Sequence, residues 1–331
     1  MMRLPKFERL LPSSVAEACQ MLNQHKNEAE PIAGGSDILV SMKQRVITPK
    51  YLVDLTTIPN LDYLSYDDKK GLRMGPLTKI IKLARDAKVA EKYPAIAQAA
   101  ASVGANQHQF MGTIGGNICL DTRCWYYNQS SFWRKSRAPC IKFNGDTCYI
   151  ATASKVCVAV YSGDLAPSLI ALGAEIKLSS PKGERVIPLS QLYSGDGKVY
   201  LTKEKDELVS EINLPPPPAK SCSAYMKLRM REAIDFPMMG VAVNVALSNG
   251  KCSQARVVLN TVASAPVLAS DASSHLVGKE LTTEVIQAAA EKAYREAKPI
   301  SDTGGCPAVY RKKIVRVYTK RTLEQVVSKL T

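Results

Sequence analysis

Pro215 to Pro218 form an unbroken run of four prolines. No helix or central strand crosses such a run, because proline fixes φ near −65° and has no backbone N–H to give to either kind of ladder. The chain is therefore expected to form two units joined by a stiff, extended connection. The boundary falls at residue 218, giving units of 1–218 and 219–331. With 331 residues, 46% of them hydrophobic, there is enough apolar side chain for a core in each.

The first unit reads as mixed α/β. SSVAEACQMLNQHKN has helical spacing, with Ser13 or Ser14 placed to cap it. In EAEPIAGGSDILVSMKQ a strand runs into a Gly-Gly turn, after which Ser36 and Asp37 open a helix. YLVDL (51–55) and GLRMG (71–75) are short strands, and a helical stretch is expected from about Leu77 to Ala101. KLSSPKGERVIPL predicts a hairpin about Lys182-Gly183, and LTKEKDELVSEINL a turn leading into a strand. Beyond the prolines, SAYMKLRMRE, MMGVAVNVALS and CSQARVVLNTVAS read as strands, and TTEVIQAAAEKAYREA as a helix. The second unit is expected to be a three-stranded sheet backed by helices.

Neither a signal-peptide run nor an apolar stretch near the roughly 20 residues of a membrane span is visible, so the reading is a cytoplasmic chain. The formal charge of +14 invites a nucleic-acid reading, but the basic residues are dispersed, as in KSRAPCIK, KLRMRE and YRKKIVRVYTKR, around no known nucleic-acid motif. An acidic protein partner or an anionic cofactor suits this charge better. Nine cysteines in a reducing compartment point to thiols with a metal or redox task.

AGGSD (33–37) and TIGGN (113–117) are two similar glycine turns far apart in sequence. Each offers successive backbone N–H groups, and a pair of such nests can grip a pyrophosphate from both sides. A Gly-Gly turn taken singly is usually only a turn. Ser36, Thr113 and Asn117 would add side-chain hydrogen bonds.

The order AGGSD, YLVDL, MGTIGGN, SGDLAPSLIALGAEI, proline linker, YMKLRMREAIDFPMMGVAV and terminal YRKKIVRV resembles the FAD-binding subunits of the xanthine dehydrogenase family of molybdenum hydroxylases, over nearly the whole chain. The resemblance implies an α+β fold: a two-subdomain FAD-binding domain of the vanillyl-alcohol-oxidase type (about 1–56 and 57–218), followed by a C-terminal domain of the CO dehydrogenase flavoprotein type. It also implies FAD as cofactor. Ala33, Gly34, Gly35, Ser36 and Asp37 match the family's first pyrophosphate loop, and Thr113, Ile114, Gly115, Gly116 and Asn117 its second. Asp164 in SGDLAP matches an acid near the ribityl chain, and Lys227 in YMK a lysine near the flavin.

One departure from that family stands out. Between TIGGN and SGD lies an insertion, about residues 121–161, with cysteines at 124, 140, 148 and 157. Their intervals of sixteen, eight and nine match neither zinc ribbons nor the close pairs of bacterial ferredoxins. The insertion is similar to the one that carries a [4Fe–4S] cluster in the 4-hydroxybenzoyl-CoA reductase branch, which implies Cys124, Cys140, Cys148 and Cys157 as ligands. Structural zinc, or four buried thiols, are the alternatives. Trp125, Tyr126, Tyr127, Phe132 and Trp133 are expected to shield such a cluster. Cys119 is read as a packing residue, and Cys19, Cys222, Cys252 and Cys306 as core or surface thiols. Met238-Met239 is read as core, and His25, His108 and His275 are too scattered for a metal triad.

No nucleophile elbow, P-loop or acid/base pair is present, so electron transfer is expected rather than bond breaking on a substrate. The resemblance implies a large partner subunit with the molybdenum cofactor and a small one with two [2Fe–2S] clusters, as a dimer of heterotrimers. Electrons would come from a ferredoxin-like donor, for reductive dehydroxylation of an aromatic CoA thioester. Two other readings remain at this stage: a dehydrogenase subunit passing electrons outward, and a non-enzymatic, zinc-stabilised scaffold.

Overall fold

Ser14 starts the first helix: its hydroxyl accepts the Glu17 N–H at 3.1 Å, while Glu17 Oε2 accepts the Ser13 N–H at 2.7 Å. In the computed structural model, which describes residues 3–300 and 306–330, this helix, α1 (Val15–His25), turns Ala18, Cys19 and Leu22 inward. They meet Val53 and Ile58 in a small core. The sheet beneath is parallel, with β1 (Glu8–Leu10) and β2 (Ala29–Ile32) flanking β3 (Tyr51–Asp54). Helix α2 (Ile38–Lys43) follows β2 directly after the first glycine turn.

The second sheet is antiparallel and five-stranded, in the order β4 (Leu64–Asp67), β5 (Gly71–Met74), β8 (Leu208–Leu214), β6 (Glu175–Ser180), β7 (Gly183–Pro188). Gly183, at φ 128°, makes the expected β6–β7 turn. The single helical stretch expected over 77–101 is instead three helices, Ile80–Arg85, Ala87–Lys92 and Pro94–Ser102. Asp86 interrupts the first by capping the second, its carboxylate accepting the Val89 N–H at 2.9 Å. Pro94, at the start of the third, has no N–H with which to continue the second.

After the prolines, β9 (Ser221–Leu228), β10 (Met239–Ser248), β11 (Lys251–Asn260) and the two-residue β12 (Val267–Leu268) form an antiparallel sheet in the order β12-β11-β10-β9. Four strands replace the three expected, because β12 adds a short edge beside Val258 and Leu259. Alternation along β10 sends Met239, Val241, Val243 and Val245 to a core shared with Leu276, Ile286, Val315 and Leu323 of the C-terminal helices. The opposite face places Tyr225, Ala242 and Val258 in the same core as Leu72, Ile96 and Leu169. Tyr93 Oη donates to the Pro215 carbonyl at 2.9 Å, so the proline segment is tied to the first unit. Met238 and Met239 are buried as expected.

Candidate functional site

The first glycine turn leaves its donors unused. Among the described residues the N–H groups of Gly34, Gly35, Ser36 and Asp37 donate to no protein acceptor. Gly35 lies at φ 72°, where only glycine sits without strain, and so allows the turn between β2 and α2. Asp37, at the N-cap of α2, makes no capping bond. Its carboxylate instead pairs with the guanidinium of Arg123, from the far side of the sequence.

The second turn lies against the first. A Cβ on Gly34 would overlap the Met111 carbonyl, so the two loops touch only because that side chain is absent. The donors of the second turn are largely spent within the protein. Ile114 N–H goes to Thr78 O and Gly115 N–H to Pro76 O, both at 2.9 Å; Gly116 N–H goes to Thr113 Oγ1 at 3.2 Å, and Asn117 N–H to Thr113 O at 2.9 Å. The two nests expected from sequence are thus unequal: the first supplies free donors and the second a close-packed wall. A Cβ on Gly116 would press on Thr113 Oγ1 at 3.2 Å, the hydroxyl that caps this turn.

Asn117 links the second turn to SGD. Its Oδ1 accepts the Leu165 N–H at 3.0 Å, and Tyr161 Oη donates to its carbonyl at 3.1 Å. Asp164 is buried and forms an ion pair with Lys227 at 3.0 Å while accepting Tyr225 Oη–H at 2.8 Å. Burial raises the Asp164 carboxyl above its usual range, and Lys227 and Tyr225 oppose that shift. Lys227 also donates to Ser102 O at 2.9 Å and Asp235 O at 3.0 Å, so all three ammonium protons are engaged. Lys227 thereby ties the two units together. Tyr225 and Asn260, which sequence reading missed, complete this cluster, with Asn260 Nδ2 on Gly163 O at 3.0 Å.

The insertion closes on itself at a neck where Arg123 and Val160 exchange backbone hydrogen bonds of 2.7 and 2.8 Å. Cys124 and Cys157 stand just inside that neck. Together with Cys140 and Cys148 they line one pocket, walled by Tyr126, Tyr127, Lys142 and Tyr149. Burial pushes the Cys157 thiol up to about 11 and raises Cys124 as well, so a cation bound there must displace protons. Ala151 N–H donates to Cys148 Sγ at 3.4 Å. Lys142, its side chain 4% exposed, is the buried cation of the pocket, held by Asp121 and Thr122. Among the described residues no three His, Cys, Asp or Glu side chains converge tightly enough to grip one metal ion. Of the aromatics expected to shield the pocket, Trp125 and Phe132 do not: they are 60% and 90% exposed. Tyr149, which was not expected there, takes part instead. Cys19, Cys252 and Cys306 are buried thiols elsewhere, and Cys119 packs against the main core.

Residues 5–217 match the family described as the FAD binding domain in molybdopterin dehydrogenase, and residues 223–326 the CO dehydrogenase flavoprotein C-terminal domain. The chain belongs to this FAD-binding subunit family. It is 30% identical to the carbon monoxide dehydrogenase medium chain of Afipia carboxidovorans over 320 residues, 96% of each chain. To the xanthine dehydrogenase FAD-binding subunit of Escherichia coli it is 25% identical over 317 residues, covering 96% of this chain and 94% of that one. The structure superimposes on carbon monoxide dehydrogenase from Hydrogenophaga pseudoflava with a TM-score of 0.82 at 28% identity, over 99% of both chains. The FAD-binding assignment and the mixed α+β architecture with its C-terminal flavoprotein domain are thereby established. So is the oxidoreductase class of the complex to which such a subunit belongs. No helix among the described residues is long and apolar enough to cross a membrane.

The residues fit the cofactor of this family. Four consecutive free N–H groups at the first turn suit a pyrophosphate.

Proposed function

We propose that this FAD-binding subunit also holds a [4Fe–4S] cluster on Cys124, Cys140, Cys148 and Cys157, and serves as the electron-transfer subunit of a complex resembling 4-hydroxybenzoyl-CoA reductase. Electrons would move from a ferredoxin-like donor toward [2Fe–2S] clusters and a molybdenum site on partner subunits, in a dimer of heterotrimers. The observation that carries this reading is that four cysteines separated by intervals of sixteen, eight and nine residues meet around one pocket.

Four thiolates around one pocket suit a tetrahedral zinc ion or a [4Fe–4S] cube, and the two differ in the separation they impose on the sulfurs. Tetrahedral zinc with bonds of about 2.3 Å draws its four sulfurs to about 3.8 Å from one another. A cube distributes its thiolates over four irons, so its sulfurs stand farther apart. Lys142 and the Ala151 N–H would stabilise negative charge there, and Tyr127 would limit solvent access. Bound FAD exchanges electrons singly or in pairs, which lets such a subunit join one-electron and two-electron partners. This chain's part is to hold the pyrophosphate at Gly34–Asp37, to pack the second loop beside it and to keep the cofactors at fixed separation.

Metal analysis with EPR on the anaerobically purified complex tests the reading. Iron with the signal of a reduced cluster, beyond that of the [2Fe–2S] centres, supports it. A subunit holding one zinc and no iron supports the scaffold reading. A complex whose iron signals are those of the [2Fe–2S] centres alone, with no zinc on this subunit, and which reduces NAD, returns it to the reading of a dehydrogenase subunit passing electrons outward.

A further inference from the structure

The insertion does more than gather cysteines: it grips the helix that follows the first glycine turn at both ends. At the start of α2, Arg123 pairs with Asp37. At the other end, Arg134 Nη2 donates to the carbonyls of Arg45, at 2.7 Å, and Gln44, at 3.3 Å. Arg134 also donates through Nη1 to Gln129 O and stacks on Phe143 at 5.0 Å, so its position is set by the insertion itself. Arg123 is fixed in the same way by the neck and by Phe236, 4.7 Å below its guanidinium. Arg123 lies one residue before Cys124, and Arg134 six before Cys140.

We infer that Arg123 and Arg134 are positioning residues for FAD, clamping α2 so that the four free N–H groups of Gly34–Asp37 are held in register for the pyrophosphate. This inference rests on the flavin assignment but not on the cluster. Two physical effects act together. Helix α2 has six residues, too few to be stable alone, so its orientation depends on contacts at its ends. The Asp37 carboxylate stands beside the expected diphosphate, and pairing with Arg123 cancels a repulsion that would otherwise weaken binding. By linkage, whatever factor an ordered insertion contributes to FAD affinity, FAD returns to the order of the insertion.

The full-length chain, stripped of flavin and titrated with FAD, tests the clamp. Arg134→Ala should raise the dissociation constant about tenfold or more, since two charged hydrogen bonds to α2 are lost. Arg134→Lys should fall between it and the wild type, because an ammonium reaches fewer carbonyls than a guanidinium fork. The melting temperature of the flavin-free variants reads any general loss of stability separately. Chymotryptic cleavage after the exposed Phe132 reports opening of the insertion. FAD should slow it several-fold in the wild type and have little effect in Arg134→Ala. Wild-type affinity in Arg134→Ala, or wild-type cleavage indifferent to FAD, overturns the inference. Iron measured on the same samples reports on the cluster independently, so an iron-free chain with weakened FAD binding in Arg134→Ala would refute the cluster and support the clamp. A wild-type chain that takes up no FAD overturns the flavin assignment and the clamp with it.

Discussion

Lys227 Nζ lies 3.0 Å from Asp164 Oδ2, with side chains 3% and 5% exposed, and this buried ion pair joins the unit before the prolines to the sheet after them. Removing one partner leaves the other charge buried and alone, which costs about 3–5 kcal/mol. Lys227→Met should therefore lower unfolding stability by roughly that amount in urea titrations, and Lys227→Met with Asp164→Asn should be less destabilised than Lys227→Met alone. Additive losses would show that the pair is not coupled.

The two glycine loops separate packing from ligand contact. Gly34→Ala should drive the loops apart at Met111 and sharply reduce the flavin-to-protein ratio of purified protein. Gly115→Val should do the same through Pro76 O, 2.8 Å from a Cβ at that position. Gly116→Ala presses only on the Thr113 hydroxyl, at 3.2 Å, rather than on backbone, so it should lower the melting temperature less than Gly34→Ala while FAD affinity falls. Undiminished FAD in all three variants would remove these loops from the site.

Serine at Cys124, Cys140, Cys148 or Cys157 should bring iron well below the wild-type content of the anaerobically prepared complex, because each thiolate would hold one iron. Serine at Cys252, buried in the C-terminal core, should leave it unchanged. Equal iron in all five variants would refute the ligand set.

Acid stability should show the Arg185–Glu207 fork, whose two hydrogen bonds are both 2.8 Å. The Arg185 guanidinium holds the Glu207 carboxyl below its usual value, so the folded state binds this proton more weakly than the unfolded one. Its contribution is present above the unfolded value of about 4.3 and is lost as pH falls through the lower folded value. In urea titrations, Glu207→Gln should flatten that part of the acid limb and cost little additional stability at the lowest pH.

Exposed Lys135, Arg137 and Lys155 on the insertion, with the overall charge of +14, predict a salt-sensitive encounter with an acidic donor. Flavin reduction by reduced ferredoxin, followed by stopped flow, should slow from about 0.01 M to about 1 M salt as the Debye length shrinks from about 30 Å to about 3 Å. NADH should be a poor donor. Fast reduction by NADH and none by ferredoxin would return the protein to the ordinary dehydrogenase branch of its family.

Local chemistry explains what was legible beforehand. The β6–β7 hairpin followed from Lys182-Gly183, and α1 from its spacing and its capping serine, because both are decided within a few residues. Apolar spacing over 77–101 predicts one helix, but Asp86 caps a new helix there and Pro94 starts another, so local breakers outweigh the spacing. β12 carries only two residues and exists because β11 offers it an edge, so no pattern in its own sequence announced it.

For the site, sequence alone determined the chemical inventory: two glycine turns able to approach a phosphate, and four cysteines in one insertion, because residue type dictates backbone freedom and thiol chemistry wherever the residue lies. Tertiary structure decided how the inventory is used. It left the donors of Gly34–Asp37 free and spent those of 114–117, since only folding determines which acceptors lie within reach. It brought Arg123 to Asp37 and Arg134 to the end of α2, pairings between residues some ninety positions apart. Hydrogen bonds and ion pairs act over a few ångströms of space, and separation along the chain gives no measure of that distance.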